Sequence, residues 1–255
     1  MSSILGIIGY NFCGSTLLSR LLGSLQGVEP CGEVHWAFDP NAANEIISAA
    51  GWPIRRTCVT CGPTCPVFNE KFAKTRFDKR SYYDIIAKKL DCEVLVVSDK
   101  LPQHYKRFRK PGSMDGIVLY KSPQAAAWSD IKNERRSIRE SLERWTRLYE
   151  EILRWAPSFC NKLMFLSYDE MSRNPIETLR RIHSHFVLSG SIDPHVDIDA
   201  ISYHFVGGNP GGHQKKGIKQ DVSSKTGLDE NMKYVIGQNL KATKTFERLE
   251  SAKNK

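Results

Sequence analysis

The sequence predicts an α/β protein: a doubly wound parallel sheet of about four to five strands flanked by helices, with an irregular cysteine-containing lobe. Three observations predict it. Apolar, β-branched runs alternate with helical stretches along the chain, the order that βαβ units require. The first run, Ile4–Gly9, ends in a glycine and gives way to a leucine stripe at helical spacing. The chain has 255 residues, 40% hydrophobic and 25% charged, enough to bury a core without disulfide staples.

The elements follow in order. Ile4–Gly9 reads as a strand buried on both faces. Ser15 to Leu25 carries Leu17, Leu18, Leu21, Leu22 and Leu25 on one helical face. Gly27 to Arg80 is irregular and forms an inserted lobe, with three cysteines close together at its centre. A helix is expected over Tyr82–Leu90, a second strand over Glu93–Val97 and a third over Gly116–Tyr120, with a basic stretch, His104–Lys110, between these strands. Pro123 suits the first turn of a helix reaching Ile131. Ser137–Trp155 is a long amphipathic helix, Lys162–Leu166 a fourth strand, and Pro175–Val187 another helix. Asp193–Thr226 reads as loop and Asp229–Leu249 as the closing helix, within one domain over residues 1–250 and a frayed tail at 251–255.

Composition narrows the function. No apolar run reaches the ~20 residues of a bilayer span, and Ile4–Ile8 lacks the basic flank of a signal peptide. The net charge of +9, from 37 Lys+Arg against 28 Asp+Glu, favours an anionic partner. Seven cysteines, an odd number without signs of export, point to reduced thiols in a cytoplasm.

Gly9-Tyr10-Asn11-Phe12-Cys13-Gly14-Ser15-Thr16 has the frame of a P-loop, with a strand before it and a helix after. The backbone N–H groups of such a turn and the helix N-terminus bind phosphate oxygens, so Cys13, Gly14, Ser15 and Thr16 are candidate anion ligands. Ser15 stands where a kinase needs Lys, so γ-phosphoryl transfer is poorly served. Without a ligand, the same residues are only a glycine-bearing strand–helix connection.

This turn resembles the 5′-phosphosulfate loop of sulfotransferases that use 3′-phosphoadenosine 5′-phosphosulfate (PAPS), in which Ser or Thr replaces the kinase Lys. Further segments resemble that family in order: Gly32–Trp36, Ser98–Pro102, Tyr120–Pro123 with Ser129, Leu166–Glu170 with Asn174 and Pro175, His204–Asn209 and Lys215–Gly217. The resemblance runs from residue 4 to about 228 and is closest to bacterial members. It implies a P-loop fold, PAPS as co-substrate, an acceptor bearing a hydroxyl or amine on a small molecule or carbohydrate, and no metal in the transfer step. It implies a 3′-phosphate site at Lys121 and Ser129, joined by Lys216 and Gly217. The sequence departs from the family pattern at Asn11 and Phe12, where Arg or Lys is usual, and at Lys121, where Arg is usual. Lys grips a phosphate as a point charge, not with a two-pronged guanidinium.

A donor phosphorylated at both ends needs two anion cradles. Lys121 ends a strand and Ser129 lies on the next helix, where the carboxyl ends of strands put ligands. The glycine-rich basic stretch around Lys215, Lys216 and Gly217 can close on an anion, or stay a solvated charge run. Lys100 follows the second strand and takes the oxygens of the transferring group; an ordinary pairing with Asp99 is the alternative. The resemblance to bacterial members, with their similar Gly-Glu segment, makes Glu33 the leading base, and an apolar pocket from Trp36 and Phe38 can raise its carboxyl. His35 is the rival because imidazole titrates near neutrality, and His204 is a third option with loop anchoring as its more natural role.

Cys58, Cys61 and Cys65 have metal-ligand spacing. Cys31 or a His can complete a structural zinc site, although a redox-labile pair or plain thiols in a tight turn fit the same spacing. Competing readings are a P-loop small-molecule kinase, a catalytically degenerate nucleotide-binding protein, and a nucleic-acid binder. The last lacks aromatics interleaved with its charges, so no nucleic acid is expected as partner.

Overall fold

The structure is a computed structural model, and it describes residues 2–38, 46–47, 53–54, 58–69, 78–134, 136–195, 197–201, 203–206 and 227–253. The chain opens with β1 (Ser3–Gly9), α1 (Ser15–Leu22), β2 (Val28–Pro30) and a 3-10 turn at Val34–Phe38. An antiparallel pair, β3 (Ile46–Ile47) and β4 (Pro53–Ile54), follows, then α2 (Tyr82–Leu90), β5 (Val94–Lys100) and α3 (Pro102–Phe108). Next come β6 (Asp115–Tyr120), α4 (Pro123–Glu134), α5 (Ile138–Phe159), β7 (Leu163–Ser167), α6 (Tyr168–Arg173) and α7 (Pro175–Phe186). The described chain closes with α8 (Glu230–Gly237) and α9 (Leu240–Lys253).

Five strands form one sheet in the order β2-β5-β1-β6-β7, all parallel. Side-chain alternation explains the two layers of helices. Ile4 and Ile8 of β1, with Leu95, Val97, Val118 and Tyr120, enter one core with Tyr83, Tyr105, Trp145, Tyr149 and Leu249. Leu5 and Ile7, with Val96, Ile117 and Leu119, enter the other with Leu18, Leu21, Leu179 and Ile182. Because both faces are covered, these strands read as unbroken apolar runs.

Several boundaries differ from expectation. β2 was not foreseen: it has three residues, follows Gly27, ends in a proline, and forms by pairing with Val94–Val96. The basic stretch His104–Lys110 mostly belongs to α3, which starts at Pro102 and buries Tyr105 and Phe108 while its Lys and Arg side chains face outward. α5 runs past Pro157 to Phe159, and its start is fixed by a capping box, with Glu140 N–H donating to Ser137 Oγ and Ser137 N–H to Glu140 Oε2. The expected closing helix is two helices, broken at Gln238 and Asn239. Residues 251–253 are no frayed tail: they complete α9, and Lys253 Nζ lies 3.5 Å from Glu170 Oε2. No helix among the described residues is long and apolar enough to cross a membrane.

Candidate active site

The sheet brings three strand ends together. β1 lies between β5 and β6, and Ile8 pairs with Lys100 while Gly9 pairs with Leu119. The turn after β1 is therefore flanked by Lys100 on one side and Lys121 on the other. This is the carboxyl edge of an open α/β sheet, where ligands collect.

The turn itself is tight. Cys13 N–H donates to Tyr10 O at 3.2 Å, and Phe12 and Gly14 both have positive φ, 60° and 99°. Gly14 is required twice over. A Cβ there would lie 2.4 Å from Tyr168 Cδ2, and its left-handed backbone disfavours any L side chain. Tyr149 clamps the turn from α5, accepting from Tyr10 N–H at 3.1 Å and donating to Leu119 O at 2.8 Å. α1 then starts at Ser15 with no side-chain cap and no acidic residue in its first turn. Ser15 N–H bonds to the Cys13 side chain, while the absence of a side-chain cap and the positive end of the helix dipole suit an anion here.

Lys121 is 8% exposed, and its Nζ sits 4.3 Å from the centroid of the Tyr168 ring, the ring that packs on Gly14. The first-strand turn and Lys121 therefore share one wall. Burial pushes the Cys13 thiol up, while Lys100 and Lys121 pull it down; both ammonium groups act electrostatically on the centre of the turn. Ser129 is buried and donates to Ala125 O at 2.9 Å, so in this rotamer its proton serves the helix and no outside anion. Lys215, Lys216 and Gly217 lie outside the described residues.

Beside the turn sit the expected catalytic groups. Lys100 has φ 61° and centres a three-residue turn closed by Leu101 N–H donating to Asp99 O at 2.7 Å. A non-glycine residue held this way is a local strain that marks functional positions. Lys100 Nζ donates to Glu33 Oε1, and Trp36 Nε1 donates to Glu33 Oε2 at 3.0 Å. Gly32, at φ 56°, turns the chain to deliver Glu33, and a Cβ there would lie 2.7 Å from Phe205 Cβ.

The charge state of Glu33 differs from expectation. Burial alone would raise its carboxyl, but Lys100, His35 and the hydrogen bonds from Lys100 and Trp36 hold it below its ordinary value. Trp36 acts as a donor where an apolar wall was expected. Lys100, which burial would lower, is raised chiefly by Glu33, so it stays an ammonium. Its partner is Glu33 and not Asp99.

Asp99 instead organises two histidines. It is fully buried; its Oδ1 accepts from His35 N–H at 2.9 Å and lies 2.8 Å from His35 Nδ1. Tyr83 Oη donates to its Oδ2. His104 Nδ1 lies 2.8 Å from Asp99 O, and the His35 and His104 rings stack at 3.7 Å. With Nδ1–H donated to Asp99, each ring keeps Nε2 as its basic nitrogen. Burial, then the charge of His35, pushes His104 down. Asp99, Tyr83 and His104 were not foreseen as members of this site. Only the proximity of Asp99 to Lys100 hinted at a role, and the partners come from residues 35, 83 and 104.

Burial would raise Asp99, but His35 and the bonds from His35 and Tyr83 hold it below its ordinary value. A carboxyl lowered on folding stabilises the protein fully above its unfolded value of about 3.9. That contribution is lost as pH falls through the lower folded value. Asp99→Asn is therefore expected to cost about 3 kcal/mol at pH 7. Melting temperatures measured at pH 7 and pH 3 should show the gap to the parent shrinking on acidification; a gap unchanged at pH 3 excludes the carboxylate charge as its source.

His204 is not at this site. Its Nδ1 lies 3.3 Å from Cys61 Sγ and from Cys65 Sγ. Phe68 is 1% exposed and belongs to the core.

No protein-family model matches the chain, and no curated protein matches it in sequence. Solved structures do match it. A sulfotransferase domain from the curacin biosynthetic pathway superposes with a TM-score of 0.65 at 11% identity, over 98% of each chain. A sulfotransferase from Alicyclobacillus acidocaldarius gives 0.51 at 14% identity, over 100% of this chain and 97% of the other. Mouse sulfotransferase SULT7A1 complexed with PAP gives 0.52 at 12% identity, over 98% and 89%. The fold of this chain is thus the fold of solved sulfotransferases along nearly its whole length.

Proposed function

We propose that the chain transfers a sulfuryl group from PAPS to a hydroxyl or amine of a small-molecule or carbohydrate acceptor. The observation that carries this reading is the placement of two lysines, Lys100 at the end of β5 and Lys121 just past the end of β6, either side of an uncapped turn after β1. The bound PAP of the mouse neighbour supports the choice of nucleotide.

In this reading the 5′-phosphosulfate lies against the N–H groups of Gly14, Ser15 and Thr16, and Lys121 meets the far phosphate. Lys100 neutralises charge gathering on the bridging oxygen and sulfuryl oxygens. Glu33 holds that ammonium in place; as an ion-paired carboxylate it is a weaker base than first expected. His35, oriented by Asp99, takes the acceptor proton on Nε2, the same division of labour as in a carboxylate–histidine pair. The acceptor oxygen or nitrogen forms its bond to sulfur as the sulfur–bridging-oxygen bond breaks. The electron pair leaves on the 5′-phosphate, giving a sulfate ester or sulfamate and adenosine 3′,5′-bisphosphate (PAP).

Calorimetric titration with adenosine 3′,5′-bisphosphate tests the nucleotide site. Micromolar affinity is expected for the parent, with a loss of about tenfold, ~1.4 kcal/mol, or more in Lys121→Ala and in Ser15→Ala. Equal affinity in all three proteins refutes the assignment, and binding of ATP with Mg²⁺ in place of the bisphosphate would point to a kinase.

A further inference from the structure

We propose that Cys58, Cys61, Cys65 and His204 bind one structural zinc ion. Three ligands come from the segment 58–69 and the fourth from a residue 139 positions after Cys65. The four donor atoms lie within 4.8 Å of one another. A tetrahedral zinc with bonds of about 2.3 Å to sulfur and 2.0 Å to nitrogen sets sulfur–nitrogen edges of about 3.5 Å. The observed distances from His204 Nδ1 to Cys61, Cys65 and Cys58 Sγ are 3.3, 3.3 and 3.9 Å. They straddle that edge, so an ion fits with shifts of a few tenths of an ångström.

The surroundings are those of a metal-bound thiolate set. Backbone N–H groups aim at the sulfurs: Cys61 N–H at Cys58 Sγ, 3.4 Å, and Phe68 N–H at Cys65 Sγ, 3.3 Å. Such outer bonds orient and stabilise metal-bound thiolates. All three cysteines carry free thiols. The segment they sit on has no helix or ladder of its own, only a single bridge between Cys58 and Gly62. Local structure of this kind needs a staple, and zinc binding supplies folding free energy directly. Soft thiolates with one imidazole select zinc among common cations, and four protein ligands close the shell, which marks a structural ion, not a catalytic one.

The position of the cluster gives it reach. Val59 N–H donates to Phe205 O at 2.8 Å, and Thr60 Oγ1 to Tyr203 O at 2.8 Å. His204 N–H donates in turn to Pro30 O at 3.3 Å. Phe205 packs on Gly32, the residue before Glu33, and the Tyr203 side chain bonds that of Thr16 at the phosphate turn. The ion would therefore lock the cysteine loop, residues 203–206 and the end of β2 into one unit behind the active site.

The test uses the full, untagged chain purified under reducing conditions from zinc-supplemented medium. Elemental analysis should find about one zinc per chain. Cobalt exchanged into the site should show the intense visible bands of a tetrahedral ion and sulfur-to-cobalt charge transfer. Cys61→Ser and His204→Ala should lose most of the zinc, whereas Cys92→Ser, a buried cysteine outside the cluster, should keep it. Chelation should lower the melting temperature, and added zinc should restore it. Folded parent protein with neither zinc nor a cobalt spectrum overturns the proposal. So does an intact mass two hydrogens short with the bridge mapped between two of these cysteines. Neither readout depends on sulfuryl transfer.

Discussion

Lys100→Met is expected to cut the proposed transfer from PAPS by about two to three orders of magnitude, the usual cost of removing one group that stabilises charge in the transition state. The same change should destabilise the fold by about 3 kcal/mol, because it strands the Glu33 carboxylate, whose side chain is 14% exposed. The two effects separate in a double variant. Glu33→Gln with Lys100→Met leaves no unpaired charge and should recover most of the melting temperature. It should recover none of the turnover. Steady-state rates and melting curves on the four proteins of this cycle decide the matter. Recovery of both would make Lys100 a partner for Glu33 and nothing more; near-parental turnover in Lys100→Met would remove it from the reaction.

Gly14→Ala is the second large effect. The added methyl falls 2.4 and 2.6 Å from two atoms of the Tyr168 ring, and the backbone there is at φ 99°. Forced backbone and overpacking together cost about 3 kcal/mol. The ring must swing away, carrying with it the face on which the Lys121 ammonium rests. Affinity for adenosine 3′,5′-bisphosphate should fall by more than tenfold, ~1.4 kcal/mol. Adding Tyr168→Ala relieves the collision and should return part of the stability, while the affinity stays low because Lys121 has lost its ring. Parental affinity in Gly14→Ala would show that the turn tolerates a side chain and that the phosphate does not approach it closely.

What could be read from the residues, and what could not, divides along the range of the interactions. Four strands were legible because Ile4–Gly9 and its counterparts are apolar on both faces, a local property of a covered parallel sheet. β2 was not, since Val28–Pro30 becomes a strand only by lying beside Val94–Val96. α3 was hidden by its charges: Lys106, Arg107 and His104 dominate the stretch, and two aromatics three residues apart, Tyr105 and Phe108, are a faint helical signal. Lys100 and Lys121 were legible as candidates because strand ends announce themselves. The partners of Asp99 were not, since His35 and Tyr83 reach it from other elements. Glu33 shows how a residue can be singled out while its charge state is misread. Its neighbourhood was read as apolar, and an ammonium 67 positions away decides otherwise. The cysteine triplet was legible by spacing, but choosing His204 among seven histidines required coordinates.

β2 has one more consequence. It forms the outer border of the sheet, is three residues long, and ends in a proline, which has no N–H to offer a neighbour. Its last carbonyl is occupied by His204 N–H. A stranger's backbone thus finds almost nothing to zip onto along that border. Loosening residues 203–206 would bare it, so, on the zinc proposal, the failure mode of the chain stripped of its ion should be clumping, visible as rising light scatter before secondary structure is lost.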